Sequence, residues 1–78
     1  MMEHDALADR FCRTLAEIMN VSGIDEDEDL LELGIDSAAA IQFLEILNEE
    51  MNSQVLVTAL FEYPTINSLV AHAADEAR

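Results

Sequence analysis

The chain has 78 residues, 51% apolar and 26% charged, with seventeen Asp and Glu, three arginines and a formal net charge of −14. One small domain with one core is expected, and no deep catalytic pocket, because a chain this short buries only about 60% of its unfolded surface. Nucleic acid and anionic membranes are excluded as partners, since both are gripped by cationic side chains, whereas proteins with basic patches would be attracted.

In chain order, Met1 to Asp5 has neither a basic region nor an apolar run, so no secretory signal is expected. No stretch reaches the ~20 apolar residues of a membrane span, and a cytoplasmic location is expected. Leu7, Phe11, Leu15 and Ile18 recur at helical spacing and predict a first helix from Asp5 to Met19. Cys12, the single cysteine, excludes an intramolecular disulfide and a cysteine-based zinc site. It reads as a small buried or half-buried hydrophobe rather than a reactive thiol. Asn20 to Gly23 supplies the stop, with Ser22-Gly23 as breaker.

Asp25 to Asp29 is a run of consecutive carboxylates whose mutual repulsion predicts a solvated loop. A calcium loop is the sharper alternative, but the alternating ligands, central Gly and terminal Glu of that motif are missing, so no metal site is expected. Leu30, Leu31 and Leu33 pin the loop to the core, and Gly34 permits a sharp turn. The next helix is predicted from Ser37 to Met51. Ile41, Leu44, Leu47 and Met51 form its inward stripe, with Ala38 and Ala40 at its start. Gln42, Glu45, Asn48 and Glu49 lie mainly on another face, and Phe43 and Ile46 lie off the stripe.

Val55-Leu56-Val57 has strand propensity but nothing to pair with, and reads as a buried connector. A short helix follows from Thr58 to Glu62 until Pro64 breaks it. Thr65 is the predicted N-cap of a last helix with Ile66, Leu69, Val70 and Ala73 facing inward. The expected fold is all-α, a four-helix bundle of three longer helices, one short third helix and a long acidic first loop. It forms a single domain over residues 1–78, with its core about residues 5–77.

No catalytic residue is expected. Ser37 is outside any Gly-x-Ser-x-Gly elbow, and no Gly-rich phosphate loop exists. His4 and His72 read as surface residues. His72 and Asp75 lie within one turn, but two groups do not make a metal site. Ser37 at a helix start is an ordinary N-cap on its own terms. It is also a place where a phosphate ester is electrostatically welcome, which points to a modification site rather than a nucleophile in a pocket.

Two segments carry a family resemblance. LLELGIDSAAAIQFLEILNEEM resembles the signature of acyl carrier proteins, and LFEYPTINSLVAHA is similar to the third and fourth helices of carrier domains from polyketide and nonribosomal peptide assembly lines. The resemblance covers residues 5–77 and implies the acyl-carrier-protein-like bundle. It makes Ser37 the attachment point of a 4′-phosphopantetheine arm, Asp36 the acidic neighbour, Gly34 the turn and Ile35 the apolar contact before it. A phosphopantetheinyl transferase would move the arm from coenzyme A, with magnesium held largely by the transferase. The arm's thiol would then hold acyl groups as thioesters.

The implied partners are that transferase and acyltransferase, ketosynthase or other acyl-modifying enzymes with basic patches, acting on a monomeric, non-catalytic carrier. The family's second helix is its recognition face, so Ala38, Ala39, Gln42, Glu45 and Glu49 are candidates for partner contact; plain solvated surface is the alternative for each. The chain departs from the pattern in having Ala38-Ala39-Ala40 after the serine, which removes a common apolar anchor. Met51 stands where Phe is frequent, and Ala39 where fatty-acid carriers place an acid. With LFEYPT, this favours secondary metabolism over fatty-acid synthesis, and Ile35-Asp36 favours acyl over aminoacyl cargo. An initiator-like Met1 close to the first helix suggests a discrete protein, although an excised module domain would look the same. The alternatives are a peptidyl carrier, a fatty-acid carrier, or an acidic helical interaction module in which Ser37 is only a cap.

Overall fold

The computed structural model describes residues 4–76, and of His4 and Asp5 only the backbone. The expectations for the His4 side chain and for residue 77 lie outside the described residues. Four α-helices and a 3₁₀ helix follow one another: α1 (His4–Met19), α2 (Leu30–Leu33), α3 (Ser37–Met51), the 3₁₀ helix (Val57–Phe61) and α4 (Ile66–Glu76). There is no strand among the described residues. The expected bundle is present, and the short third helix is wound as 3₁₀ one residue earlier than anticipated, with Glu62 as its C-cap.

Left-handed residues close three helix ends. Asn20 adopts φ 59°, its N–H donates to Glu17 O, and Val21 N–H donates to Ala16 O. That paired motif ends α1. The stop is therefore Asn20, while Gly23 keeps a negative φ and serves no breaker role. Gly34 (φ 92°) ends α2 in the same way, with Gly34 N–H to Leu31 O and Ile35 N–H to Leu30 O. Asn52 (φ 54°) ends α3 by donating to Asn48 O.

The acidic run is tied down rather than merely solvated. Asp25 Oδ1 accepts the Asp27 N–H, and Glu28 N–H donates to Asp25 O, forming a tight turn. Asn67, at the start of α4, donates its side-chain amide to Glu26 Oε1 and Asp27 Oδ1, and its backbone N–H to Glu26 O. Asp29 then caps α2, its Oδ1 accepting the Leu31 and Glu32 N–H groups. This one-turn helix is absent from the sequence reading, which placed the three leucines in loop. Four residues are too few for a periodicity signal, and only the Asp29 and Gly34 caps could have disclosed it.

α1 packs on α3 and α4, and the 3₁₀ helix closes the bundle against α2 and α3. Phe11, Leu15, Leu30, Phe43, Leu47, Ile66, Leu69 and Val70 are the large, fully buried side chains, with Phe11 and Phe43 meeting edge to face at 6.0 Å. The α4 face is as anticipated, and Thr65 caps it: Thr65 Oγ1 accepts the Ser68 N–H while Ser68 Oγ accepts the Thr65 N–H.

The α3 stripe is rotated from the sequence reading. Ala40, Phe43, Leu44 and Leu47 are buried, whereas Ile41 is 50% exposed. At 100° per residue, Ile41 falls about 110° from the centre of the buried set. The large Phe43 ring, gripped by Phe11, decides which way the helix turns. Asn48, assigned to the outer face, is half-buried and structural. Its amide donates to Val55 O and accepts the Val55 N–H and the Ser53 hydroxyl. That amide takes the place of a neighbouring strand, so only Val55 of the connector is buried and Leu56 and Val57 emerge into solvent.

Phe43→Ala should destabilise the fold by about 3–5 kcal/mol in urea unfolding, whereas Ile41→Ala should stay within about 0.5. Equal losses would contradict this rotation. Asn67→Asp replaces an amide donor with a third carboxylate, and should cost about 1–2 kcal/mol, partly recovered in high salt.

Candidate functional site

The chain turns from α2 to α3 through only Gly34, Ile35 and Asp36. Gly34 makes this possible, because its φ of 92° strains any residue with a Cβ even though open space surrounds it. Ile35 is half-buried and packs against the core. Asp36 is extended (φ −94°, ψ 173°), its Oδ1 accepting the Ala39 N–H at 2.8 Å and its backbone oxygen accepting the Ala40 N–H. Asp36 is thus the N-cap of α3, and Ser37 is the first helical residue.

That assignment separates two roles that the sequence left joined. Ser37 is exposed, and no described residue hydrogen-bonds its hydroxyl. The N–H groups of Ser37 and Ala38 likewise meet no acceptor among the described residues. Capping is done by the aspartate, so the serine hydroxyl stands at the positive end of a helix with no structural duty.

Beside it lies a cleft of about 180 Å³ between α2, α3 and the 3₁₀ helix. It is lined by Leu31, Ile35, Asp36, Ser37 and Ala40 and, from the 3₁₀ helix, by Val57, Leu60 and Phe61. A larger hollow of about 400 Å³ lies elsewhere, between α1 and residues 21–24, and includes Cys12.

Of the candidate contact residues, Ala38, Gln42, Glu45 and Glu49 are exposed and form one row along α3 at alternating steps of four and three. Ala39 is half-buried and shares a shallow hollow with Ala38, Gln42 and the Ile18–Met19 end of α1. Exposed Ile41 borders the same row, three residues after Ala38 and four before Glu45. The sequence reading missed it by assigning Ile41 to the core, although that spacing already placed it there.

The described arginines are engaged elsewhere, Arg10 pairing with Glu50 across α1 and α3, and Arg13 with Asp9 on α1. His72 is not the plain surface residue expected. It is half-buried, stacks on Tyr63 with ring centres 4.3 Å apart, and faces Glu76 rather than Asp75 at 3.5 Å. It does not line the Ser37 cleft. No group of three or more metal-ligating side chains occurs among the described residues, and no described helix is long and apolar enough to cross a membrane.

Residues 9–73 match the protein family described as "Phosphopantetheine attachment site". The sequence is 30% identical over 74 residues to the polyketide synthase PksL of Bacillus subtilis (strain 168), an alignment covering 92% of this chain and 2% of that protein. The chain therefore spans a small piece of the curated relative it matches. The fold is similar to a free-standing peptidyl carrier protein from an uncharacterized secondary metabolic pathway of Acinetobacter baumannii, with TM-score 0.83 and 26% identity over 97% of this chain and 98% of that one. It is also similar to the HMG-ACPI domain of the CurA module from Lyngbya majuscula, with TM-score 0.78 and 27% identity over 94% of this chain and 76% of that one.

Cys12 is buried as expected, and its thiol is pushed up to about 11, first by desolvation and then by the nearby carboxylates of Glu26, Asp9, Asp25 and Asp27. The native protein should therefore resist iodoacetamide at neutral pH and react only as pH climbs toward about 11 or the chain unfolds. The sign for stability follows: folding keeps the thiol neutral, so its contribution is intact below pH 9 and is lost as pH rises through about 11. Rapid alkylation of folded protein at pH 7, followed by mass spectrometry, would contradict this.

Proposed function

The chain belongs to the phosphopantetheine-attachment family, and from that premise we propose that it is a carrier protein whose arm is borne by Ser37. A member of this family carries 4′-phosphopantetheine as a covalent group. The observation that carries the assignment to Ser37 is the division at the start of α3: Asp36 caps the helix, while the Ser37 hydroxyl is exposed and unbonded among the described residues. When attached, the arm supplies a terminal thiol on which acyl groups are held as thioesters.

The neighbours suit that role. In the transfer from coenzyme A, a bond forms between Ser37 Oγ and the phosphorus, the bond to the nucleotide moiety breaks, and the serine proton is released. The resulting phosphodiester would sit beside the N–H groups of Ser37 and Ala38, which lack other acceptors among the described residues. Asp36 holds the first turn rigid from the side, Gly34 supplies the corner, and Ile35 anchors it to the core. None of these groups breaks a bond in the cargo. The chain acts as a substrate and arm-bearing partner of enzymes rather than as a catalyst, and His72, held by Tyr63, is not offered to Ser37.

The cargo on this reading is acyl, in polyketide or related secondary metabolism. The likeness to a polyketide synthase and to an HMG-ACPI domain supports it, as does Ile35-Asp36 before the serine. The row Ala38, Gln42, Glu45 and Glu49, with Ala39 beside it, would meet basic patches on the transferase and on acyltransferases or ketosynthases. A cytoplasmic, monomeric carrier suits the anionic surface. A peptidyl carrier is the second reading, favoured by the Acinetobacter baumannii structure.

Incubation with coenzyme A and a broad-specificity phosphopantetheinyl transferase should add one phosphopantetheinyl mass to the wild type and none to Ser37→Ala. An equal gain on both would remove Ser37 from its place. Loading assays then separate the cargoes: charging by acyl donors supports the acyl reading, whereas charging solely by an adenylating amino-acid enzyme would replace it with the peptidyl one.

A further inference from the structure

The acidic run enters α2 through two hydrogen-bonded brackets to the start of α4. Asn67, half-buried, donates its side-chain amide to Glu26 Oε1 at 3.1 Å and to Asp27 Oδ1 at 2.8 Å, and its backbone N–H to Glu26 O at 3.0 Å. Farther on, Leu30 N–H donates to Pro64 O at 2.8 Å, so the two segments run antiparallel. The second bracket leads straight to the corner before Ser37: Leu30 O accepts the Ile35 N–H, and Asp36 then caps α3. Burial of Leu30 and packing of Ile35 set the depth of that corner. Apolar burial is non-directional, however, and leaves a four-residue helix free to turn about its own axis. Direction comes from hydrogen bonds, which weaken steeply off line. Upstream of α2, the bonds that reach across to α4 and its approach are those of Asn67 and Pro64.

We infer that Asn67 is a positioning residue for loading at Ser37, holding the entrance of α2 so that the serine hydroxyl meets the transferase in one orientation. This rests on the carrier reading of Ser37. The amide suits the work chemically. Glu26 and Asp27 converge on it within a run of five carboxylates, and like charges so close repel unless a donor lies between them. One amide nitrogen supplies two donors and adds no charge, whereas an acid would add a further carboxylate and an alanine would supply nothing. The bond to Glu26 O also satisfies one of the first N–H groups of α4, which lack partners within the helix. With the amide gone, the entrance of α2 populates several placements, of which one suits the transferase. Apparent affinity then falls with the competent fraction, while the chemical step on a correctly placed serine is unaltered.

Loading kinetics with coenzyme A and a broad-specificity phosphopantetheinyl transferase test this, with hydrogen exchange on the unloaded chain as a second readout. Asn67→Ala should raise the KM for the chain about fivefold and leave kcat within about twofold, the result of a competent fraction near one fifth. It should speed exchange of the Leu31, Ile35 and Ala39 amides by a larger factor than that of the Leu15 and Leu47 amides. Val70→Ala, on the buried face of the same helix, is the control for lost stability. It should lower the thermal midpoint and leave both KM and the corner amides as in the wild type. Asn67→Asp should raise KM at least as much as Asn67→Ala. Adding Glu26→Gln and Asp27→Asn to Asn67→Asp moves the donors to the loop and the acceptor to α4. KM should then return to that of Glu26→Gln with Asp27→Asn alone. An unchanged KM in Asn67→Ala would overturn the proposal, as would corner amides that exchange as in the wild type. So would equal effects in Val70→Ala, which makes Asn67 merely structural, or a loss confined to kcat. Failure of the wild type to gain mass would instead count against the carrier reading, and the exchange readout would still decide whether Asn67 holds the corner.

Discussion

The burial of Leu30 is the constraint on which the rest of the architecture depends. A long anionic connection must cross from the end of α1 to the start of α3, and its charges repel one another. One side chain in that crossing, Leu30, is fully enclosed by the core, and its N–H donates to Pro64 O at 2.8 Å. Asp29 on one side and Gly34 on the other turn the pinned residue into a one-turn helix. Asn67 then neutralises the geometric problem of the acids before it by donating to Glu26 and Asp27. That pin, together with Ile35 packed on the core, fixes the corner and with it the position of Ser37.

From that corner follows a separation of duties along three consecutive residues. Ile35 touches the core, Asp36 satisfies the first turn of α3, and Ser37 does neither. A helix start ordinarily recruits its hydroxyl for capping, since the first N–H groups lack intrahelical partners. Here an aspartate placed one residue earlier takes that work, so modification of the serine need not disturb the helix. The lone cysteine shows the complementary arrangement: burial and surrounding carboxylates hold the Cys12 thiol neutral.

The charge pattern gives the molecule two kinds of surface. Along α3 the exposed row is polar and acidic, suited to long-range attraction of basic partners and to rapid, salt-sensitive encounter. At the 3₁₀ helix the exposed groups are Val57, Thr58 and Phe61, with acids only at the margins. Both lie next to Ser37, because α3 begins at that residue and the cleft opens beside it.

Sequence by itself determined the three long helices, the Thr65 cap, the inward face of α4, the buried Cys12 and the residues around Ser37. Each of these is written in local chemistry: a periodicity, a capping side chain, or a composition that leaves one place for an apolar residue. What it did not determine was which side of α3 faces in. Ile41 and Phe43 are both apolar, and only the packing of Phe43 on Phe11 from a distant helix decides between them. Nor could it show that Asn48 would satisfy Val55 as a neighbouring strand would, or that Asn67 would bind the acidic run, since those bonds span long stretches of chain or depend on a turn. The free state of the Ser37 hydroxyl also needed the fold. Asp36 and Ser37 are both good caps by type, and the backbone angles that the buried Leu30 and left-handed Gly34 impose on the corner selected the aspartate.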